Sequence, residues 1–453
     1  MMAPDRGERL LDRASFGPRP GDRGAIVQEG PEAWLERQLQ PGQIPDPEVS
    51  ERLERFPTRL LSPGDLARGP EMSDLPIARG ARNPRAAEPP ERARQRMRRL
   101  REVGRQMAGV RVVRAVYGRR ELQEVMVDFW ANHFSVFALK GPLGAMLPHY
   151  ERVVLRPHAL GRFEDLLVAV ARSPAMLFYL DNWLSSAEGS RGRGRRRSAG
   201  INENYARELL ELHTVGVTGG YSQRDVVEVA RTFTGWTLRS RRDPGFVFRG
   251  RLHDPGPKRV LGEAVRGDGI DEGEGLLRRL ARHPATARHI SQKLARRFVS
   301  DRPPEGLVSR LSEVFLEREG EIREVLRVLL LSPEFVAPEH RKLKTPLEFM
   351  ASAVRVTAGE TDGGRGVLSA LRRLGEVPFL ARTPAGYPDS VQHWIDPGAM
   401  LERIEVALAL GAGRVSGTRL GAVYPTGVRT VAPELPLERR SALTLASAEF
   451  QWQ

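Results

Sequence analysis

Asn202-Glu203-Asn204-Tyr205-Ala206-Arg207-Glu208-Leu209-Leu210-Glu211-Leu212-His213-Thr214 is the stretch around which the rest of the 453-residue chain is arranged. Ala, Leu, Arg and Glu favour helix, Asn202 suits an N-cap, and Gly216 and Gly219-Gly220 suit stops. On a helix Asn204, Glu208 and Glu211 share one stripe. Arg207 pairs at four residues with both Glu203 and Glu211. Tyr205, Leu209 and Leu212 form an apolar stripe, with His213 one turn beyond Leu209. Such a helix, charged around most of its girth yet set among apolar segments, has two readings. Its carboxylates are paired structurally, or they and the imidazole hold a metal or move a proton.

Helical periodicity continues on both sides. Upstream it predicts helices over 91–117, stopped by Gly118, and over 119–134, where Asp128 and Asn132 stack at four residues and His133 follows Phe129 on an apolar face. Downstream it predicts helices over 223–233, 271–282, 284–299, 304–317, 320–331, 343–357, 397–410 and 437–450. Ser222 is placed as a cap, and Thr345-Pro346-Leu347-Glu348 starts a helix with Pro346 at its first position. Alternation suited to strand occurs around Phe246-Val247-Phe248 and up to Gly262, so a β-hairpin is expected within 237–262. Residues 62–90 and 185–199 combine Pro, Gly, Arg and Ser with few apolar anchors and are expected to be flexible loops. No linker divides the chain. The expected fold is mainly α: a single large helical domain over 1–453 with a small β-hairpin insertion.

Composition narrows the functional classes. Lys+Arg number 71 against 57 Asp+Glu, a net charge of +14. That balance suits an acidic polymer or an acidic protein partner. Basic residues are not interleaved with aromatics, so nucleic acid is not the expected partner. The chain has no cysteine, which excludes disulfides, thiolate metal sites and thiol nucleophiles. No window is apolar enough for a membrane span, and Met1–Arg6 lacks the apolar core of a signal peptide. A cytoplasmic location is therefore the default expectation. There is no Walker A motif, no dinucleotide fingerprint, no His-Glu-x-x-His, no Gly-x-Ser-x-Gly and no paired Glu-x-x-His of di-iron bundles.

Several blocks together resemble a known family, the bacterial domain of unknown function 1800 (DUF1800). They are Leu10–Gly17, Phe129-Trp130-Ala131-Asn132-His133-Phe134, Tyr179-Leu180-Asp181-Asn182 and the long block from Asn202 to Thr214. Gly219-Gly220-Tyr221, Thr232–Trp236, His253-Asp254, Lys344-Thr345-Pro346 and the loop from Gly386-Tyr387-Pro388 to Trp394 complete the set, in the family's order. The resemblance implies no established activity. It does imply that an exported location is open, since many members carry a leader.

The blocks are rich in Asn, Glu, His, Asp and Arg, which favours a chemical site. The expected enzyme, a hydrolase or an oxidoreductase, would use Glu208, His213, His253 and Asp254 as acid, base or ligand groups. His133, Glu208 and Glu211 are the candidate metal ligands, and Glu203, Asn204 and Arg207 would orient them from behind. Imidazole with carboxylate suits a divalent metal, Fe, Mn or Zn. Glu208 and His133 are expected to share one pocket, closed by the His253-Asp254 loop. The rival expectation is a non-catalytic binding or assembly protein with a basic surface.

Overall fold

The structure, a computed structural model, describes residues 5–68, 90–190, 200–240, 244–421 and 434–453. Among these, 61% are helical and 5% are in strands, so helices build most of the core. The strands form three separate two-stranded antiparallel ribbons. Trp236–Leu238 pairs with Phe246–Phe248 and Arg259–Val260 with Glu263–Ala264, so the expected hairpin region holds two ribbons and runs slightly past 262. A third, Glu360–Thr361 with Thr418–Arg419, joins segments too distant for any local pattern to reveal.

Local chemistry places most helix ends. Pro90–Tyr117 stops at Gly118, whose N–H reaches back to Arg114 O at 2.9 Å. Glu121–His133 follows. Gln223–Thr232 starts in a capping box: Ser222 accepts from the Asp225 N–H, and the Asp225 carboxylate accepts from the Ser222 N–H. Thr345 and Glu348 do the same for Pro346–Val356. A box of this kind satisfies two N–H groups that the first turn leaves without partners. Ser222→Ala is expected to lower stability by about 1 kcal/mol, measurable as a shifted urea midpoint with an unchanged slope.

The helices Asp22–Glu29 and Arg365–Arg373 are among those the periodicity did not reveal. The second buries Val367, Leu368, Ala370 and Leu371 and leaves Arg365, Arg372 and Arg373 exposed. Of the expected loops, 69–89 and 191–199 lie outside the described residues. At their described edges, Pro63–Arg68 is helical, and Ser186 and Ala187 are tied by backbone bonds to Gly200 O and Leu252 O at 3.0 and 2.8 Å.

One apolar cluster runs from Leu10 to Phe450 and takes in nearly every helix. Arg13 closes it at one end. This fully buried guanidinium donates to Phe298 O and Val299 O, both at 3.0 Å, and to Gln453 O at 2.8 Å. The bonds replace the water the side chain has lost.

Candidate functional site

The central helix starts as expected. Asn202 Oδ1 accepts from the N–H groups of Asn204 and Tyr205 at 2.9 and 3.3 Å. Regular α-helix covers Glu203–Glu208, and the chain then widens to a π-helix over Leu209–His213. The widened turn changes which residues face inward. Leu210 and His213 are buried and Leu212 is only partly so, whereas an unbroken α-helix would have aligned Leu212 with Leu209. A π-turn is rare and marks strain or function more often than chance would.

The π-turn presents His213 to the end of Glu121–His133. The His133 and His213 rings are 6.2 Å apart and His133 and His289 are 6.1 Å apart. His133 Nε2 lies 3.3 Å from His213 O, and His289 Nε2 lies 3.2 Å from Leu212 O. Phe129, Trp130 and Phe134 wall in His133. Burial, reinforced by the Lys293 ammonium, pushes His213 down to about 3 and His289 to about 4, and puts His133 well below its ordinary value. All three rings are therefore neutral near pH 7.

The carboxylates expected beside them lie elsewhere. Glu208 is half-buried, with Glu211 and Arg207 as its charged neighbours, and burial raises its affinity for a proton. Glu211 pairs with Arg207 at 3.5 Å and bonds Tyr221. Glu203 takes the amide of Gln223 at 2.8 Å, and Arg207 donates to the same residue's oxygen at 2.8 Å. Asn204 is exposed. Among the described residues no hydrogen bond or ion pair joins Glu208 to His133, and no group of three His, Asp or Glu side chains could hold a metal ion. Among the described residues, therefore, the expected set His133, Glu208 and Glu211 is not gathered into one ligand group. A neutral imidazole survives among aromatic rings, whereas a carboxylate keeps to water and arginine. A cation would also meet the Lys293 charge.

His253 and Asp254 form a second polar node. His253 Nδ1 lies 3.0 Å from Thr234 O, and its Nε2 lies 3.3 Å from Glu272. Lys258 donates to Glu272 at 2.6 Å. Asp254 takes Arg231 through both oxygens, at 2.7 and 3.1 Å, and that pairing holds its carboxyl below the usual range. The Asp254–Arg231 and Lys258–Glu272 pairs bind the ribbons to the helices.

A cavity of about 60 Å³ opens on the far side of Asn132, room for a few waters or the reacting end of a small molecule. Arg111, Asp128, Arg297, Glu376, Tyr387 and Trp394 line it together with Asn132 and Thr345. Arg111 is 3% exposed and holds Asp128 at 2.5 Å through Nη2, while its Nη1 has no partner among the described residues. Arg297 pairs with Glu348 at 2.5 Å. Glu376 is buried and accepts from the Leu347 N–H at 3.0 Å. Burial and the nearby carboxylate of Asp128 raise it to about 8 against the bonds from Leu347 and Thr345, so it is a neutral acid near pH 7.

The cavity's rim is fixed by backbone bonds. Asn132 Nδ2 donates to Tyr387 O at 2.9 Å, and Asn132 Oδ1 accepts from Tyr387 N at 2.6 Å. Gly386 permits that approach: its φ is +77°, and a Cβ there would sit 2.4 Å from Asn132 O. Phe379, on the opposite wall, holds φ +64° without being glycine, a strained conformation that its surroundings must enforce. Of these residues, Asp128, Asn132, Thr345 and the Gly386–Trp394 loop stood out in the sequence. Arg111, Arg297 and Glu376 did not.

No curated protein and no solved structure matches the chain. The model of one family does match, over residues 9–452, and its description is a protein of unknown function. Three of the blocks that resemble that family, those holding Asn132, Thr345 and Tyr387, meet at the cavity. With nearly the whole length covered, the chain belongs to the DUF1800 family.

Proposed function

We propose that the chain is a hydrolase whose acid–base groups are Glu376 and Asp128, working on a small carbonyl compound such as an ester. The observation that carries this reading is the pairing, in one cavity, of a buried carboxyl with a guanidinium that has an N–H to spare. Two carboxyl groups with opposed environments divide naturally into acid and base. Asp128 is paired with Arg111 and partly open to solvent, so it is placed to draw a proton from water as the water oxygen attacks the carbonyl carbon. Arg111 Nη1 donates to the oxygen on which negative charge develops. Glu376 gives its proton to the leaving oxygen, and the proton taken by Asp128 returns to it through water. In this reading the acid–base roles expected at Glu208 and His213 fall to two carboxyl groups of the neighbouring cavity, with His133 behind its Asn132 wall.

A panel of chromogenic esters, amides and phosphomonoesters tests this. Ester turnover is expected to fall 10²–10⁴-fold in Glu376→Gln and 10²–10³-fold in Arg111→Lys. Ester turnover untouched by both substitutions would refute the assignment, as would turnover confined to other substrates.

A further inference from the structure

We propose that an arginine-rimmed groove on the other side of the cavity wall binds a single-chain amphiphile with an anionic head, of the class of a long-chain carboxylate. The groove encloses about 590 Å³, within the size range of small-molecule sites. It lies between the middle of Pro90–Tyr117, the turn at Ala138-Leu139 and the Arg365–Arg373 helix. Its floor is apolar: Ala108, Ala138, Leu368 and Val377 are buried beneath it, and Leu139 is 40% exposed.

Its rim is cationic. Arg101, Arg105, Arg365 and Arg372 surround the floor. Glu102, the acid among them, is bound by Arg105 through Nε at 2.9 Å. Arg101, Arg365 and Arg372 form no ion pair among the described residues. Arg98 and Arg99 extend the charge along the same helix.

Charge and apolar surface together select the occupant. An acidic polymer would meet the guanidiniums and leave Leu139 and Leu368 wet. A neutral hydrocarbon would cover the floor and leave the arginines repelling one another. A chain with one anionic end does both. The inference is independent of the hydrolytic reading, although Val377 and Leu380 face the groove from the same segment whose Glu376, Pro378 and Phe379 line the cavity.

The test is calorimetric titration of the full chain with dodecanoate below its micelle concentration, beside acetate, dodecanol and dodecyltrimethylammonium. One dodecanoate per chain is expected, at least tenfold tighter than any of the other three. Arg365→Glu with Arg372→Glu should weaken it at least tenfold, and so should Leu139→Glu. These side chains are exposed, so the variants should keep the parent circular dichroism. Arg365→Gln with Arg372→Gln carries the test if charge reversal costs the fold. Equal binding of dodecanoate and the cationic amphiphile would overturn the proposal, as would binding indifferent to the charge changes. So would a chain that ignores monomeric dodecanoate and binds only anionic vesicles or polyglutamate.

Discussion

Glu376→Gln is expected to make the protein more stable at alkaline pH while silencing the cavity. A glutamate in the unfolded chain loses its proton near 4.5, and in the folded chain this carboxyl keeps it to about 8. Its contribution to folding is complete below pH 4.5 and is lost as pH rises through 8. Full ionisation of the buried group costs on the order of 4–5 kcal/mol, a large share of the stability of an ordinary protein. Glutamine mimics the neutral acid, still accepts from the Leu347 N–H and carries no charge to desolvate. Thermal unfolding at pH 5 and pH 9 reads the effect. The variant should match the parent at pH 5 and melt several degrees higher at pH 9. The same difference at both pH values would mean that Glu376 is ionised in the folded state.

The imidazole cluster predicts the opposite trend in acid. His213 and His289 are neutral in the folded chain down to about 3 and 4, and take a proton near 6.5 when unfolded. The folded state is therefore fully favoured above pH 6.5 and loses ground as pH falls toward 4. At pH 4.5 each ring costs about 2–3 kcal/mol. Lys293 faces the cluster as a fixed cation, with Asp389 3.5 Å from it as counter-ion. Glu376 opposes this trend over the same range, so the measurement belongs in the Glu376→Gln background. Urea midpoints between pH 7 and pH 4.5 should fall steeply there, and His213→Gln should flatten the slope by about one proton. An unchanged slope would show that His213 takes its proton in the folded protein.

What could be read from the sequence was whatever local chemistry determines. Asn202, Ser222 with Asp225, and Thr345 with Glu348 are caps that act within four residues, and they set helix starts as expected. Gly118 ends a helix for an equally local reason. The π-turn at Leu209–His213 left no such trace, because the same residues suit an ordinary α-helix and only packing against His133 and Phe134 distinguishes the two. The Arg365–Arg373 helix is short and bounded by glycines, so its period is barely established before it stops.

The cavity was hidden for a different reason. Arg111 is one arginine among many on its helix, and burial alone sets it apart. Glu376 stands in a connection without periodicity, and its acidity depends on Asp128, which lies 248 positions earlier by residue number. Proximity across the fold creates that chemistry, and proximity of this kind is not written in spacing.

Arg13 has a consequence for how the protein is made. Its carbonyl partners lie 285, 286 and 440 residues further along the chain. At 5–20 residues per second, the helix bearing Leu10 and Leu11 waits roughly 20–90 s after leaving the ribosome before its last anchor exists. Contacts so remote in sequence form late, because a long loop must close first. A segment made well before its partners is thus among the last to be secured, and during synthesis it is a ready client for chaperones that shelter apolar helices.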